Sequence, residues 1–359
     1  MKAITVRPGE AGSGRLEDVP EPAAGDGDVV AEALAMGVCG TDAEILGGAY
    51  GEPPPGRDTV VLGHESLGRV LEAPAGAGLS PGDLVVGVVR RPDPVPCPCC
   101  ARGEWDMCRN GRYTERGIKA RDGYGSQRWR VEPEFAVAVD PALERVGVLL
   151  EPASIVAKAW DHIERIGGRA CFAPRTALVT GAGPIGLLAA LLAAQRELEV
   201  HVFDRVTEGP KPGLVEALGA TYHSDSLAEV GEVDVVVEAT GAGAVVLDVM
   251  GRTVPGGVVC LTGLSSGRQS LEVDAAGLNR ELVLENDVVF GSVNANRRHY
   301  ELAAEALAAA DRSWLERVIS RRVPLERWQE ALERRPDDVK VVVDFAAGPA
   351  DRPAAPDRG

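Results

Sequence analysis

The rhythm of apolar and polar positions changes once along this chain, near residue 150. Before that point the apolar runs are short and punctuated by Gly and Pro. Lys2–Val6, Asp28–Met36, Ser66–Glu72 and Leu84–Val89 read as strands of a compact, mostly β domain with partly open sheets. Beyond it, helical periods alternate with short strand-like runs. Ser154–Ile166 predicts a helix, Thr176–Thr180 a strand, Pro184–Arg196 a helix and Glu199–Phe203 a strand. The pattern continues with a helix at Gly213–Leu218, strands at Ala220–His223 and Val233–Ala239, a helix at Gly243–Met250, and strands at Gly257–Leu261 and Glu285–Val293.

Such spacing predicts an α/β protein whose second domain is a doubly wound parallel sheet. An Ala/Leu-rich amphipathic helix is expected over Arg297–Ala310, and Lys340–Phe345 reads as a strand returning to the first domain. The expected division is 1–153 with 295–345, against 154–294. The Pro/Ala/Asp/Arg tail at 346–359 is expected to be disordered.

With 359 residues the chain is long enough for two cores. Its net charge of −16 argues against nucleic acid and anionic membranes as partners. The longest apolar run, Ile185–Ala194, is too short to span a bilayer, and the N-terminus lacks a signal-peptide apolar region. The cytoplasm is the expected compartment. Four of the seven cysteines crowd between Cys97 and Cys108, which reads as metal binding before disulfides. Cys171 and Cys260 lie among apolar neighbours and are expected as small core residues.

Three short segments carry donors for a metal: Cys39-Gly-Thr-Asp, Gly63-His64-Glu65 and Glu151-Pro152. A thiolate, an imidazole and carboxylates form a mixed set suited to Zn²⁺, and fewer than four tight protein ligands leave room for a substrate. Cys39 and His64 are the expected ligands. Glu65 and Glu151 are expected to bind directly, in alternation or through water. Thr41, two residues after Cys39, places a hydroxyl able to take a proton from a substrate alcohol and pass it outward. Cys97, Cys100 and Cys108 have the spacing of a closed structural zinc site, with Cys99, Asp93, Glu104 and Asp106 as candidates for the fourth ligand.

Gly181-Ala-Gly183-Pro184-Ile185-Gly186 follows a predicted strand and opens a predicted helix, the context a pyrophosphate-binding turn requires. Asp204 ends the next strand, where a carboxylate holds the adenosine ribose hydroxyls and favours NAD. Arg205 beside it is a candidate for a 2′-phosphate. The reading is NAD binding with some NADP use. Zinc and dinucleotide on one chain point to hydride transfer.

Taken together, these residues resemble the zinc-dependent medium-chain alcohol/polyol dehydrogenase superfamily over essentially the whole chain except its tail. Within it the chain looks like the glucose 1-dehydrogenase branch, on Arg90-Arg91-Pro92, Asp106-Met107-Cys108, Tyr113-Thr-Glu115-Arg-Gly-Ile118, Glu151-Pro152-Ala153 and Gly291-Ser-Val-Asn294-Ala-Asn296-Arg-Arg298. The resemblance implies a GroES-like catalytic domain with the zinc, a Rossmann domain with the nucleotide, and dimers or tetramers built through the Rossmann domains.

It also implies that Cys39, His64, Glu65 and Glu151 surround the catalytic zinc, that Thr41 joins the proton path, and that Glu115 and Asn294 bond sugar hydroxyls. The chain departs from the branch at Pro94, which stands where a first lobe cysteine is common, and at Asp204, where strongly NADP-using relatives carry a neutral residue. Glu151 and Glu44 replace the cysteine and histidine of simple alcohol dehydrogenases. An aldose, foremost D-glucose, oxidised at C1 to the lactone is the expected substrate. A polyol, amino-cyclitol or threonine dehydrogenase shares the same zinc chemistry. A nucleotide binder without turnover is the reading from another class, and such a protein has no use for an open zinc site.

Overall fold

The computed structural model describes residues 1–265 and 270–345. The expected tail at 346–359 lies outside the described residues. The chain divides into two compact units, 1–149 with the segment from Ile319 onward, and 150–318.

The first unit is built on an antiparallel sheet whose order runs Ala136–Val139, Leu84–Gly87, Glu65–Glu72, Val29–Val38, Lys340–Asp344, Ile319–Pro324, with Arg128–Val131 also pairing Val29–Val38. The last two strands are parallel to one another, so the C-terminal segment completes the sheet of the N-terminal one. A smaller sheet joins Arg15–Asp18, Lys2–Val6 and Val60–Val61. Ile4, Met36, Leu62, Ile118, Trp328 and Val343 share one apolar cluster, which ties both sheets and the returning strand into one core.

The second unit is a six-stranded parallel sheet in the order Thr221–His223, Glu199–Phe203, Thr176–Thr180, Val233–Glu238, Thr253–Leu261, Val288–Gly291. The order reverses direction between Thr176–Thr180 and Val233–Glu238, which opens a crevice at the carboxyl ends of those strands. The helices Leu150–Gly167 and Pro184–Ala194 pack on the sheet, and every residue of Gly186–Ala193 is buried, as its unbroken apolar run requires.

Residues 295–318 belong to this second unit rather than to the first. The physical reason is the apolar stripe of the helix Arg297–Ala308. Tyr300, Ala303 and Leu307 are buried there, and the helix packs on Leu150–Gly167. Three helices are absent from the sequence reading, Gly40–Leu46, Ala275–Glu285 and Arg312–Val318. The expected strand from Glu285 begins only at Val288, because Asn286 caps the preceding helix in a left-handed conformation. Cys260 is buried as expected, but Cys171 is exposed. Among the described residues no helix is long and apolar enough to cross a membrane.

Candidate active site

Cys39 closes the strand Val29–Val38 and caps the helix Gly40–Leu46. Its sulfur accepts the Thr41 amide at 3.3 Å, while its own amide donates to Asp42 Oδ2 at 2.9 Å. This reciprocal cap fixes the thiol at the mouth of the helix. Thr41 is half-buried in the first helical turn.

His64 enters from the turn after Val60–Val61. Gly63 makes that turn at φ +94°, and a Cβ there would lie 2.1 Å from Met36 Sδ. The His64 Nε2 stands 3.0 Å from Cys39 Sγ, and Nδ1 faces Asp42 Oδ1 at 3.5 Å. Asp42 thus orients both partners from one carboxylate. Burial opposes a charge on His64, but the Cys39 sulfur and the Asp42 carboxylate outweigh it and lift the imidazole well above its ordinary value.

Glu65 opens the next strand directly opposite Gly37. A Cβ on Gly37 would lie 1.9 Å from Glu65 Oε2, so the missing side chain makes the space the carboxylate occupies. Lys340 Nζ lies 2.6 Å from this carboxylate, hydrogen-bonded to Oε1, and also donates to Val38 O at 3.1 Å. Glu65 Oε2 is buried and lies 2.6 Å from Lys340 Nζ within the ion pair, but meets no well-directed hydrogen-bond donor.

Ligand atoms of Cys39, His64 and Glu65 all lie within 4.8 Å of one another. A soft sulfur, an imidazole nitrogen and a buried carboxylate converging at one point fit Zn²⁺. Asp42 behind the imidazole is the usual orienting partner of a metal-bound histidine.

In the same unit, Glu115 is buried on the strand Thr114–Arg116, in register with Arg90. Arg90 donates through Nε and one terminal nitrogen to Glu115 Oε1, at 3.1 and 3.0 Å, and to Asp106 O at 3.0 Å. Its guanidinium lies over the Tyr113 ring at 3.7 Å, and Lys119 Nζ stands 4.3 Å from the same ring. The half-exposed Tyr50 phenol is pushed up by partial burial and then by Glu115 and Tyr113, which places it in their field.

The cysteine lobe gathers Cys97, Cys100 and Cys108, with Cys97 and Cys100 sulfurs 3.6 Å apart. The Arg109 amide holds the Cys97 thiol down to about 6, whereas burial pushes Cys100 up to about 11. Cys99 lies outside this trio. Asp93 is engaged by the Val95 amide and Arg112.

In the second unit, the strand Thr176–Thr180 runs into Gly181 at φ +89°, and Gly183 caps the helix begun by Pro184 and Ile185. A Cβ on Gly186 would lie 1.7 Å from Gly181 O, whereas one on Gly183 meets nothing within 4 Å. Gly186 therefore allows the helix to approach the strand, and Gly183 leaves the outer face of the turn open to a pyrophosphate.

Asp204 ends the neighbouring strand. It accepts the Ala182 amide at 2.7 Å, the Val206 amide at 3.0 Å and Lys211 Nζ at 2.9 Å. Burial pushes its carboxyl up, but Lys211 and the two amides hold it below the usual range. Arg205 is exposed beside it. At the end of the strand Val233–Glu238, the buried Glu238 accepts from Thr180 Oγ1 and from the Thr240 and Gly241 amides.

Glu151 is buried in the first turn of Leu150–Gly167. Asn294 adopts φ +61°, with its Oδ1 on the Ala295 amide at 2.8 Å. The buried Lys158 donates to Val293 O at 2.8 Å and so fixes the backbone beside it.

Sequence reasoning assigned no role of their own to Asp42, Arg90, Lys158, Lys211 and Lys340. Asp42 carries a signal, since an acidic residue three positions after the cap is half of a capping box. Lys340 carries none, because its partner lies far away in the chain.

Residues 144–345 match the sequence family described as glucose dehydrogenase C-terminus, and residues 25–141 match the alcohol dehydrogenase GroES-like domain. This chain belongs to the glucose dehydrogenase family. It is thus a zinc-dependent medium-chain dehydrogenase, with a GroES-like unit and a Rossmann-type parallel sheet.

Among relatives in the family, the glucose 1-dehydrogenase of Methanocella arvoryzae is 43% identical over 359 residues, covering 97% of this chain and 100% of that protein. The glucose 1-dehydrogenase of Thermoproteus tenax is 40% identical over 351 residues, covering 96% and 99%. The structure of Haloferax mediterranei glucose dehydrogenase in complex with NADP, Zn and gluconolactone superposes with a TM-score of 0.89 at 31% identity, covering 97% and 100%.

Proposed function

We propose that this protein oxidises D-glucose, or a closely related aldose, at C1 to the aldonolactone, passing the hydride to NAD⁺ or NADP⁺. The observation that carries the proposal is the convergence of Cys39, His64 and the buried Glu65 carboxylate on a chain that also presents a Gly183-open turn for a dinucleotide.

Zinc held by Cys39, His64 and Glu65 supplies Lewis acidity that favours loss of the anomeric hydroxyl proton. Thr41 is assigned to accept that proton and pass it to water. Glu115, fixed by Arg90, accepts from sugar hydroxyls, and a sugar thereby supplies donors to a carboxylate already removed from water. The resemblance adds Glu151 to the zinc set and Asn294 to the sugar hydroxyls, and both assignments belong to this proposal. Cys97, Cys100 and Cys108 are assigned a structural zinc, whose stoichiometry is a separate measurement.

Seven free cysteines support a reducing compartment, the cytoplasm. A homo-oligomer is supported by the second unit, where Val288–Gly291 ends the sheet and Leu264, Val283 and Leu284 are exposed. Light scattering on the purified protein reads this directly.

The test of the reaction is the initial rate of NAD⁺ and NADP⁺ reduction on a panel of aldoses and polyols, with zinc per chain measured on the same sample. Glucose or a neighbouring aldose is expected to be oxidised fastest. Zinc-loaded protein that reduces neither nucleotide with any aldose would overturn the proposal, and faster turnover of an open-chain polyol would move the substrate class.

A further inference from the structure

His201 and His223 play no part in the chemistry above, yet they form a constructed pair. They lie on adjacent parallel strands at the edge of the six-stranded sheet, where His201 is opposite Thr221 and Phe203 opposite His223. The two-residue offset keeps both imidazoles on one face. Their inner nitrogens, His201 Nδ1 and His223 Nε2, are 3.0 Å apart. The outer nitrogens each face a carboxylate: His201 Nε2 is 3.5 Å from Glu199, and His223 Nδ1 is 3.7 Å from Glu229.

The outer contacts are long and both carboxylates are exposed, and two neutral rings do not donate into every gap. Glu199, His201, His223 and Glu229 define three gaps, but two neutral imidazoles carry two N–H groups. Whichever ring donates across the inner gap turns a bare lone pair towards its own carboxylate. A divalent ion in the inner gap resolves this, because both rings then point N–H outward to Glu199 and Glu229. That is the carboxylate–histidine–metal arrangement on both sides of one site. The spacing also fits, since two nitrogens about 2.0 to 2.1 Å from one ion stand about 2.9 to 3.4 Å apart.

We propose that His201 and His223 form a binding site for an imidazole-preferring divalent transition ion, such as Zn²⁺ or Ni²⁺, distinct from the Cys39 centre and from the cysteine lobe. Water completes the coordination, since both side chains retain some exposure. The bound ion ties the edge strand to its neighbour. Because the Asp204 amide donates to His223 O at 3.1 Å, that clamp adjoins the segment carrying Asp204. The Asp161, His162 and His299 cluster offers no comparable site, because Arg298 already forks onto Asp161 at 2.6 and 2.5 Å.

The experiment titrates Ni²⁺ into zinc-loaded holoprotein freed of excess metal, read by calorimetry, thermal unfolding and histidine ¹⁵N shifts. One additional Ni²⁺ per chain, with a raised melting temperature, is expected. His201→Gln and His223→Gln are each expected to weaken it at least about tenfold, leaving dehydrogenase activity and tightly bound zinc unchanged. Glu199→Gln with Glu229→Gln, which spares both rings, is expected to weaken it by about tenfold or more. Ni²⁺ binding unchanged by either histidine variant would overturn the proposal. So would ¹⁵N shifts showing one imidazolium at neutral pH that ignores the ion, since the third gap would then be filled by a proton.

Discussion

Lys340 Nζ lies 2.6 Å from the Glu65 carboxylate, 275 residues away in sequence, and both side chains are buried. The returning C-terminal strand therefore delivers the cation that balances a carboxylate of the proposed zinc site. Removing one member of a buried pair leaves an uncompensated charge, at a cost of about 3–5 kcal/mol. Lys340→Met should lose stability of that order and retain zinc poorly. Lys340→Met combined with Glu65→Gln should recover much of the stability but not the zinc. Denaturant unfolding with zinc determination on each variant checks this, and a Lys340→Met protein as stable as the parent would contradict it.

Asp42 serves the thiol and the imidazole from one carboxylate. Asp42→Asn keeps an oxygen for the Cys39 amide but removes the charge facing His64. Zinc affinity, measured by competition with a chelator, should fall about 10- to 100-fold while the fold persists. Asp42→Ala should add the loss of the cap, about 1 kcal/mol in unfolding experiments.

The sequence revealed those elements whose burial follows a period. Thr176–Thr180 and Glu199–Phe203 stand where the apolar runs end, and the Gly-rich turn lies between strand and helix as its spacing requires. Helix Ala275–Glu285 escaped because none of its residues is buried, so its pattern carries no stripe to read. Helix Gly40–Leu46 is only seven residues long and owes its start to the Cys39–Asp42 cap rather than to periodicity. At the site, residue type and flanking glycines singled out Cys39 and His64. The pairings of Glu65 with Lys340, Glu115 with Arg90 and Asp204 with Lys211 depend on how the chain folds, which no local window contains.

Gly183 and Gly186 should respond differently to one added methyl group. At Gly186 the Cβ would lie 1.7 Å from Gly181 O, so Gly186→Ala must displace the helix and should destabilise the second unit. At Gly183 the Cβ meets no protein atom within 4 Å. Gly183→Ala should melt as the parent does and bind dinucleotide at least about tenfold more weakly, because the methyl group would stand where the proposed site receives the pyrophosphate. Thermal unfolding and cofactor fluorescence titration on both variants separate the two roles. Equal losses of stability would refute the distinction.

Lys211 holds the Asp204 carboxylate at 2.9 Å and, under the proposed function, would set how that carboxylate receives a ribose. With Lys211 present, the negative charge that would repel a 2′-phosphate is balanced. Lys211→Ala should weaken NADP⁺ by about tenfold, the worth of one charge-assisted contact, and leave NAD⁺ within about twofold. The same variant has a signature in acid. Burial raises the Asp204 carboxyl, but Lys211 and the Ala182 and Val206 amides bring it below its ordinary value. A folded value below the unfolded one means that Asp204 stabilises the protein above about pH 4 and loses that contribution as pH falls through its folded value. Without Lys211 the folded value rises towards the unfolded one, so the variant should begin acid unfolding at higher pH than the parent. Dissociation constants for both nucleotides and an acid titration followed by circular dichroism check the two effects on one variant. A NADP⁺ to NAD⁺ preference unmoved by Lys211→Ala would show that Arg205, exposed beside Asp204, governs the choice alone.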